Sequence, residues 1–128
     1  MRSQNRLNHK GQYRVGKDRS TLMLGKAVRI FGISEVQLAR ILHVSVADAR
    51  DIMNQKKIIH RGTPTAQHIA MFLRVFRDAY QKWDRKRDRM RAWLRRRLDD
   101  GQTIVEMMES REGMKRAISL LQQERAVA

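Results

Sequence analysis

Residues 34–53 read SEVQLARILHVSVADARDIM, and the spacing of their apolar positions allows few folds. Leu38, Ala39 and Leu42 share one helical face, Ala49, Ile52 and Met53 share another, and only His43, Val44 and Ser45 separate the two runs. Ser34 and Ser45 each stand just before a run, where a hydroxyl satisfies the first free N–H groups of a helix. Helices this short are marginal alone and are stabilised by packing their apolar faces. The small Ala39 permits a close crossing, and Val44 supplies an apolar plug in the turn. The pattern predicts two capped helices folded against each other, a helix-turn-helix.

The flanks carry the same periodicity. Leu24, Ala27, Val28 and Phe31 fall at i, i+3, i+4 and i+7, with Ser20 or Thr21 placed to cap that helix and Gly32 to end it. The third helix is expected from Ser45 to about Asn54. Gly62-Thr63-Pro64 then opens another, with Thr63 as cap and Pro64 at the first helical position. Ile69, Phe72, Leu73, Phe76, Tyr80 and Trp83 continue its stripe, DRKRD at 84–88 interrupts it, and Met90, Trp93, Leu94 and Leu98 resume it. Two helices with a joint near 84–88 are expected. DDG at 99–101 reads as a turn, followed by helices over about 103–109 and 111–124, the last carrying Met114, Ala117, Ile118 and Leu121 on one face. No segment has strand periodicity. The expected fold is all-α, an N-terminal helix-turn-helix bundle followed by a small helical C-terminal domain. Its parts are a flexible basic arm over 1–19, a helix-turn-helix region over 20–62, a connecting helix over 63–89 and a C-terminal unit over 90–128.

Charge decides what kind of partner such a fold would meet. The 128-residue chain has a net charge of +15 with 41% hydrophobic residues, so it can build a core yet repels itself strongly. A polyanion would relieve that repulsion. Residues 71–100 hold eleven bases and five acids, whereas 101–128 hold four of each, which separates a neutral C-terminal unit from a basic remainder. The arm at 1–19 reads either as a nucleic-acid-binding tail or as a solvated one. With no cysteine, no long apolar run and no apolar stretch behind the N-terminal bases, the expectation is a cytoplasmic protein without a membrane segment.

If the helix-turn-helix docks on DNA, Val46, Ala47, Asp48, Arg50, Asp51 and Asn54 face base edges in the major groove. Arg50 suits guanine and Asn54 adenine, while Asp48 or Asp51 could accept from cytosine or orient Arg50. Arg40, Ser45, Lys56, Lys57 and Arg61, together with the arm, are the candidates for phosphate contact. The alternative is a three-helix core whose exposed acids are merely solvated. Between residues 83 and 97, Arg85, Lys86, Arg89, Arg96 and Arg97 are expected to point outward, with Asp84 and Asp88 spaced to pair with them. That face reads as a second anion-binding surface or as a salt-bridged solvated one.

The twenty residues 34–53 and their flanking helices resemble the Xre-type, Cro/repressor-like family. The family often places glycine where His43 stands, because that turn residue tends to the left-handed region. Further on, RAWLRRRLDDGQTIVEMMESREGMKRAISLL, beginning at Arg91, resembles the toxin-binding domain of the Xre/MbcA/ParS antitoxins. Trp93-Leu94, Gly101-Gln102-Thr103, Met107-Met108 and Glu112-Gly113 stand in the family's order, with Ile104 in place of the family's proline. Together the two resemblances cover roughly residues 21–121. They imply a DNA-binding antitoxin that blocks a RES-domain toxin, an NAD-consuming enzyme, through its C-terminal region. The chain ends in QQERAVA, earlier than many members of that family. On this reading Trp93, Met107, Met108, Glu112 and Met114 are candidates for partner binding; for Trp93 and the methionines, ordinary core packing is the competing reading. Gly113 is expected to permit close backbone approach.

The four histidines are scattered without a ligand spacing, and no nucleophile–base arrangement or Gly-rich phosphate loop is present. Neither enzymatic activity nor a metal or cofactor is expected. Three functions stand: a DNA-binding antitoxin-type regulator, a stand-alone regulator of a mobile element with the same fold, and a basic RNA- or protein-binding adaptor. A homodimer is expected for either regulator, since such modules read paired half-sites.

Overall fold

Four of the serine and threonine caps legible in the sequence are formed in the computed structural model, which describes residues 19–57 and 59–127. The expected arm lies outside these residues except for Arg19. Seven helices and no strand occur among the described residues: α1 (Arg19–Phe31), α2 (Glu35–Leu42), α3 (Val46–Met53), α4 (Pro64–Lys82), α5 (Arg87–Leu94), α6 (Ile104–Met107) and α7 (Arg111–Val127). The fold is all-α, as the periodicities predict.

Ser34 accepts from the Gln37 N–H, Ser45 from Asp48 and Thr63 from Ala66, while Thr103 and Glu106 form a reciprocal capping box. Each such cap contributes about 1 kcal/mol. α1 differs. It begins at Arg19, so Ser20 and Thr21 stand inside its first turn rather than before it.

α4 is the spine, about 28 Å long from its 19 residues. α1 packs on one part of it and α7 on another, and α1 also reaches α3 and α5. A single core cluster runs from Leu24 through Phe72 and Phe76 to Met114 and Leu121, so the N- and C-terminal parts share one interior. Phe31, the last residue of α1, meets Phe72 and Phe76 edge to face at 5.9 and 5.3 Å.

The joint between α4 and α5 lies at 83–86, starting one residue and ending two residues before the expected span. Asp84 and Arg85 there both adopt left-handed backbone, φ 49° and 64°, and turn the chain so that Trp93 meets Trp83 with ring centroids 5.6 Å apart. Arg91 of α5 plays a part that no spacing along the chain marks. Its Nε donates to the Ile30 carbonyl and its Nη2 to the Arg29 carbonyl, satisfying the free C-terminal carbonyls of α1 beside Gly32. The DDG turn at 99–101 is present, closed by an isolated bridge between Arg97 and Thr103. Gly113 stands where a Cβ would lie 1.8 Å from the Met107 carbonyl oxygen, the close backbone approach expected of it.

Candidate nucleic-acid interface

α3 is attached to the fold by Ala49 and Ile52, both fully buried, and its remaining side chains are divided between the core margin and solvent. Val46 is half-buried and packs against the core. Ala47, Arg50 and Asn54 are exposed, and Asp48 and Asp51 are half-exposed. The helix is aimed by its entry turn. His43 takes the left-handed conformation, φ 60° and ψ 46°, which favours glycine, and the Val44 N–H returns to the Ala39 carbonyl at 3.0 Å.

Arg50 has a partner that spacing along the chain does not suggest. Its Nε and Nη2 both donate to Glu35 Oε1, at 3.2 and 2.9 Å, and this hydrogen bond and charge raise its already high pKa. The orienting role expected of Asp48 or Asp51 thus falls to Glu35 at the start of α2. Asp48 instead faces Lys57, 3.6 Å away. Both pairs are solvent-exposed, where water and salt screen the attraction and leave little net stabilisation. A bidentate guanine contact discriminates by roughly 1–3 kcal/mol, so base recognition could outcompete Glu35 for Arg50. The pairing does not disable the side chain.

Of the phosphate candidates, Arg40, Lys56, Lys57 and Arg61 are exposed around α2 and the segment after α3. The Ser45 oxygen accepts from the Asp48 N–H at 3.0 Å, which leaves its hydroxyl proton available to a phosphate. Arg40 also lines an open cleft of about 480 Å³ together with Arg97, Gly101 and Glu106.

The partner-binding candidates require correction. Trp93, Met107, Met108 and Met114 are each 5% exposed or less and belong to the core. Their apolar surface is spent on packing α5, α6 and α7, so they offer a partner nothing to bind. Glu112 alone of the five is exposed, beside Lys115 at 3.6 Å.

The C-terminal corner is instead fastened to α2 and the turn that follows it. Gln37 Nε2 donates to Glu109 Oε2 at 3.1 Å, and the His43 Nε2–H donates to the Glu109 carbonyl. Beneath this lies His68, buried, with Nδ1 lacking a hydrogen-bond partner and its ring 4.6 Å from that of His43. Burial, then the charges of His43 and Arg111, push the His68 pKa below its ordinary value. The folded chain therefore resists a proton that the unfolded chain accepts below about pH 6.5. Stability is complete above that pH and declines as pH falls from there toward the lowered folded pKa. A series of melting temperatures from pH 7.5 to 5 should show this decline in the wild type, and His68→Gln should flatten it. Parallel curves would exclude His68 as the cause.

No group of three or more metal-ligating side chains occurs among the described residues. None of their helices is long and apolar enough to cross a membrane. No protein-family model matches the chain, and comparison with curated proteins finds no match.

Proposed function

We propose that this protein is a DNA-binding transcriptional regulator of antitoxin type, reading operator DNA through α3 and binding a protein partner through its C-terminal part. The observation that carries the DNA reading is α3 itself. It is a capped helix pinned by Ala49 and Ile52, with Ala47, Arg50 and Asn54 exposed together and bases on the flanking segments. Arg50 discriminates bases, with Glu35 holding it ready. Arg40, Lys56, Lys57, Arg61 and Ser45 supply contact to phosphates. The two acids of α3 reduce affinity without removing selectivity, because the two properties come from different contacts. The regulator acts as a homodimer on paired half-sites.

The antitoxin part rests on the resemblance of the segment after Arg91. Since Trp93 and the methionines are core, a RES-domain toxin would have to meet exposed surface such as that around Glu112. Co-purification with a RES-domain enzyme encoded beside this gene would support that part. A stand-alone regulator would bind the operator and no such enzyme.

The deciding experiment is binding to the DNA upstream of the protein's own gene against a scrambled duplex across a salt series. A preference that survives physiological salt is expected. Arg50→Ala should narrow that preference by roughly 1–3 kcal/mol while leaving binding to the scrambled duplex largely intact. Unchanged selectivity in the variant would remove Arg50 from the reading set. Equal binding of both duplexes by the wild type would overturn the regulator.

A further inference from the structure

The joint between α4 and α5 concentrates positive charge that the protein does not use. Arg85, Lys86, Arg87 and Arg89 are all exposed, as is Arg95 at the other end of α5. None of the five side chains makes an ion pair or hydrogen bond among the described residues. Elsewhere Arg50, Lys57, Arg74 and Lys115 do pair. Asp84 and Asp88, spaced in sequence to neutralise this run, are exposed and form no ion pair among the described residues. Of the two readings of this face, the salt-bridged one is not built at Arg85, Lys86, Arg87 and Arg89. A cluster of like charges without counter-charge destabilises the compact state, and an incoming polyanion removes that cost.

We infer that the α4–α5 corner is a second surface of this protein for the phosphate backbone of duplex DNA, separate from the surface presented by α3. This rests on the DNA reading above and extends it. The aromatic residues nearby decide against other partners. Trp83 is half-buried against Trp93, and Tyr80 is half-buried against Phe76 at 5.2 Å. Among the described residues the corner thus offers no fully exposed ring on which the bases of single-stranded RNA could stack. It equally lacks the exposed apolar anchor that protein interfaces are built around. Phosphate contact needs neither; it needs charge, and it reads no sequence.

The test is a variant carrying Arg85→Gln, Lys86→Gln, Arg87→Gln and Arg89→Gln in the full chain, compared with wild type on operator and scrambled duplexes of two lengths. These side chains have no partners to lose, so the melting temperature should hold or rise. The slope of log affinity against log salt concentration should become shallower by about 0.9 for each phosphate no longer neutralised, about 2–4 in all. Affinity for operator and scrambled DNA should fall by the same factor, leaving the preference between them unchanged. A shallower slope on both lengths supports a corner lying over the stretch that α3 reads. A change confined to the longer duplex supports binding to flanking DNA. Wild-type slope and affinity in a variant that still prefers the operator would overturn the second surface alone. A wild-type protein that binds neither duplex would overturn it together with the DNA reading. Weakened binding of a single-stranded RNA with duplex binding untouched would overturn it in favour of RNA.

Discussion

Gly113→Ala is expected to lower the melting temperature by more than about 10 °C, a loss of at least about 3 kcal/mol for a chain of this size. The added Cβ would stand 1.8 Å from the Met107 carbonyl oxygen, against the 3.4 Å at which ordinary van der Waals contact begins. A clash with a flexible side chain could be relieved by a rotamer change, but this one is with backbone. α7 must move away from the end of α6 by more than an ångström, and that motion disturbs Met108 and Met114, both fully buried. It also disturbs the cap at Ser110, whose hydroxyl accepts from the Gly113 N–H at 2.9 Å. Gly25→Ala is the control. That glycine lies within α1, where the new methyl would meet only Arg29 Nη1 at 3.5 Å. Relief of glycine's backbone entropy should stabilise the control by roughly 0.5–1 kcal/mol. A Gly113→Ala protein that melts with the wild type would show that α6 and α7 have freedom the packing denies them.

Phe31→Ala should cost about 3–5 kcal/mol. The side chain is 2% exposed and lies edge to face against two rings of α4, so its removal leaves a cavity and breaks two oriented aromatic pairs. Its place in the chain adds to the effect. It is the last residue of α1, one step before the glycine beside which Arg91 closes the helix end. Phe31→Leu should recover most of the loss, because it refills much of the volume without the ring geometry. Denaturant titration reads both variants, with the midpoint falling and the slope unchanged. Operator preference of the folded fraction should persist, since no proposed DNA contact is altered. A loss below about 1 kcal/mol for the alanine variant would mean that the α1–α4 interface collapses to fill the space.

Much of this architecture can be read from short spacings. A serine or threonine hydroxyl and the N–H three residues on belong to one local geometry, which is why Ser34, Ser45, Thr63 and Thr103 are recognisable as caps. The stripe of Leu24, Ala27, Val28 and Phe31 is buried as its period requires. The break at 84–88 is legible as a lapse in apolar spacing, although nothing local marks Asp84 and Arg85 for left-handed backbone. The candidate interface is legible as a set of residues on one helix. Its internal pairing is not, because Glu35 and Arg50 are fifteen residues apart and on different helices.

The sequence by itself determined the helices, most of their starts and the residues that turn inward, because each depends on neighbours within one turn of helix. Only the tertiary structure decided what those inward residues meet. Apolar spacing is the same whether a face packs on its own chain or on a partner, and packing among α5, α6 and α7 assigned Trp93 and the three methionines to the core. The tertiary structure also decided which charges are satisfied. Arg91 reaches the end of α1 across 61 residues and Gln37 reaches Glu109 across 72, while Arg85, Lys86, Arg87 and Arg89 form no ion pair among the described residues. Charge pairing depends on distance in space, which no count along the chain supplies.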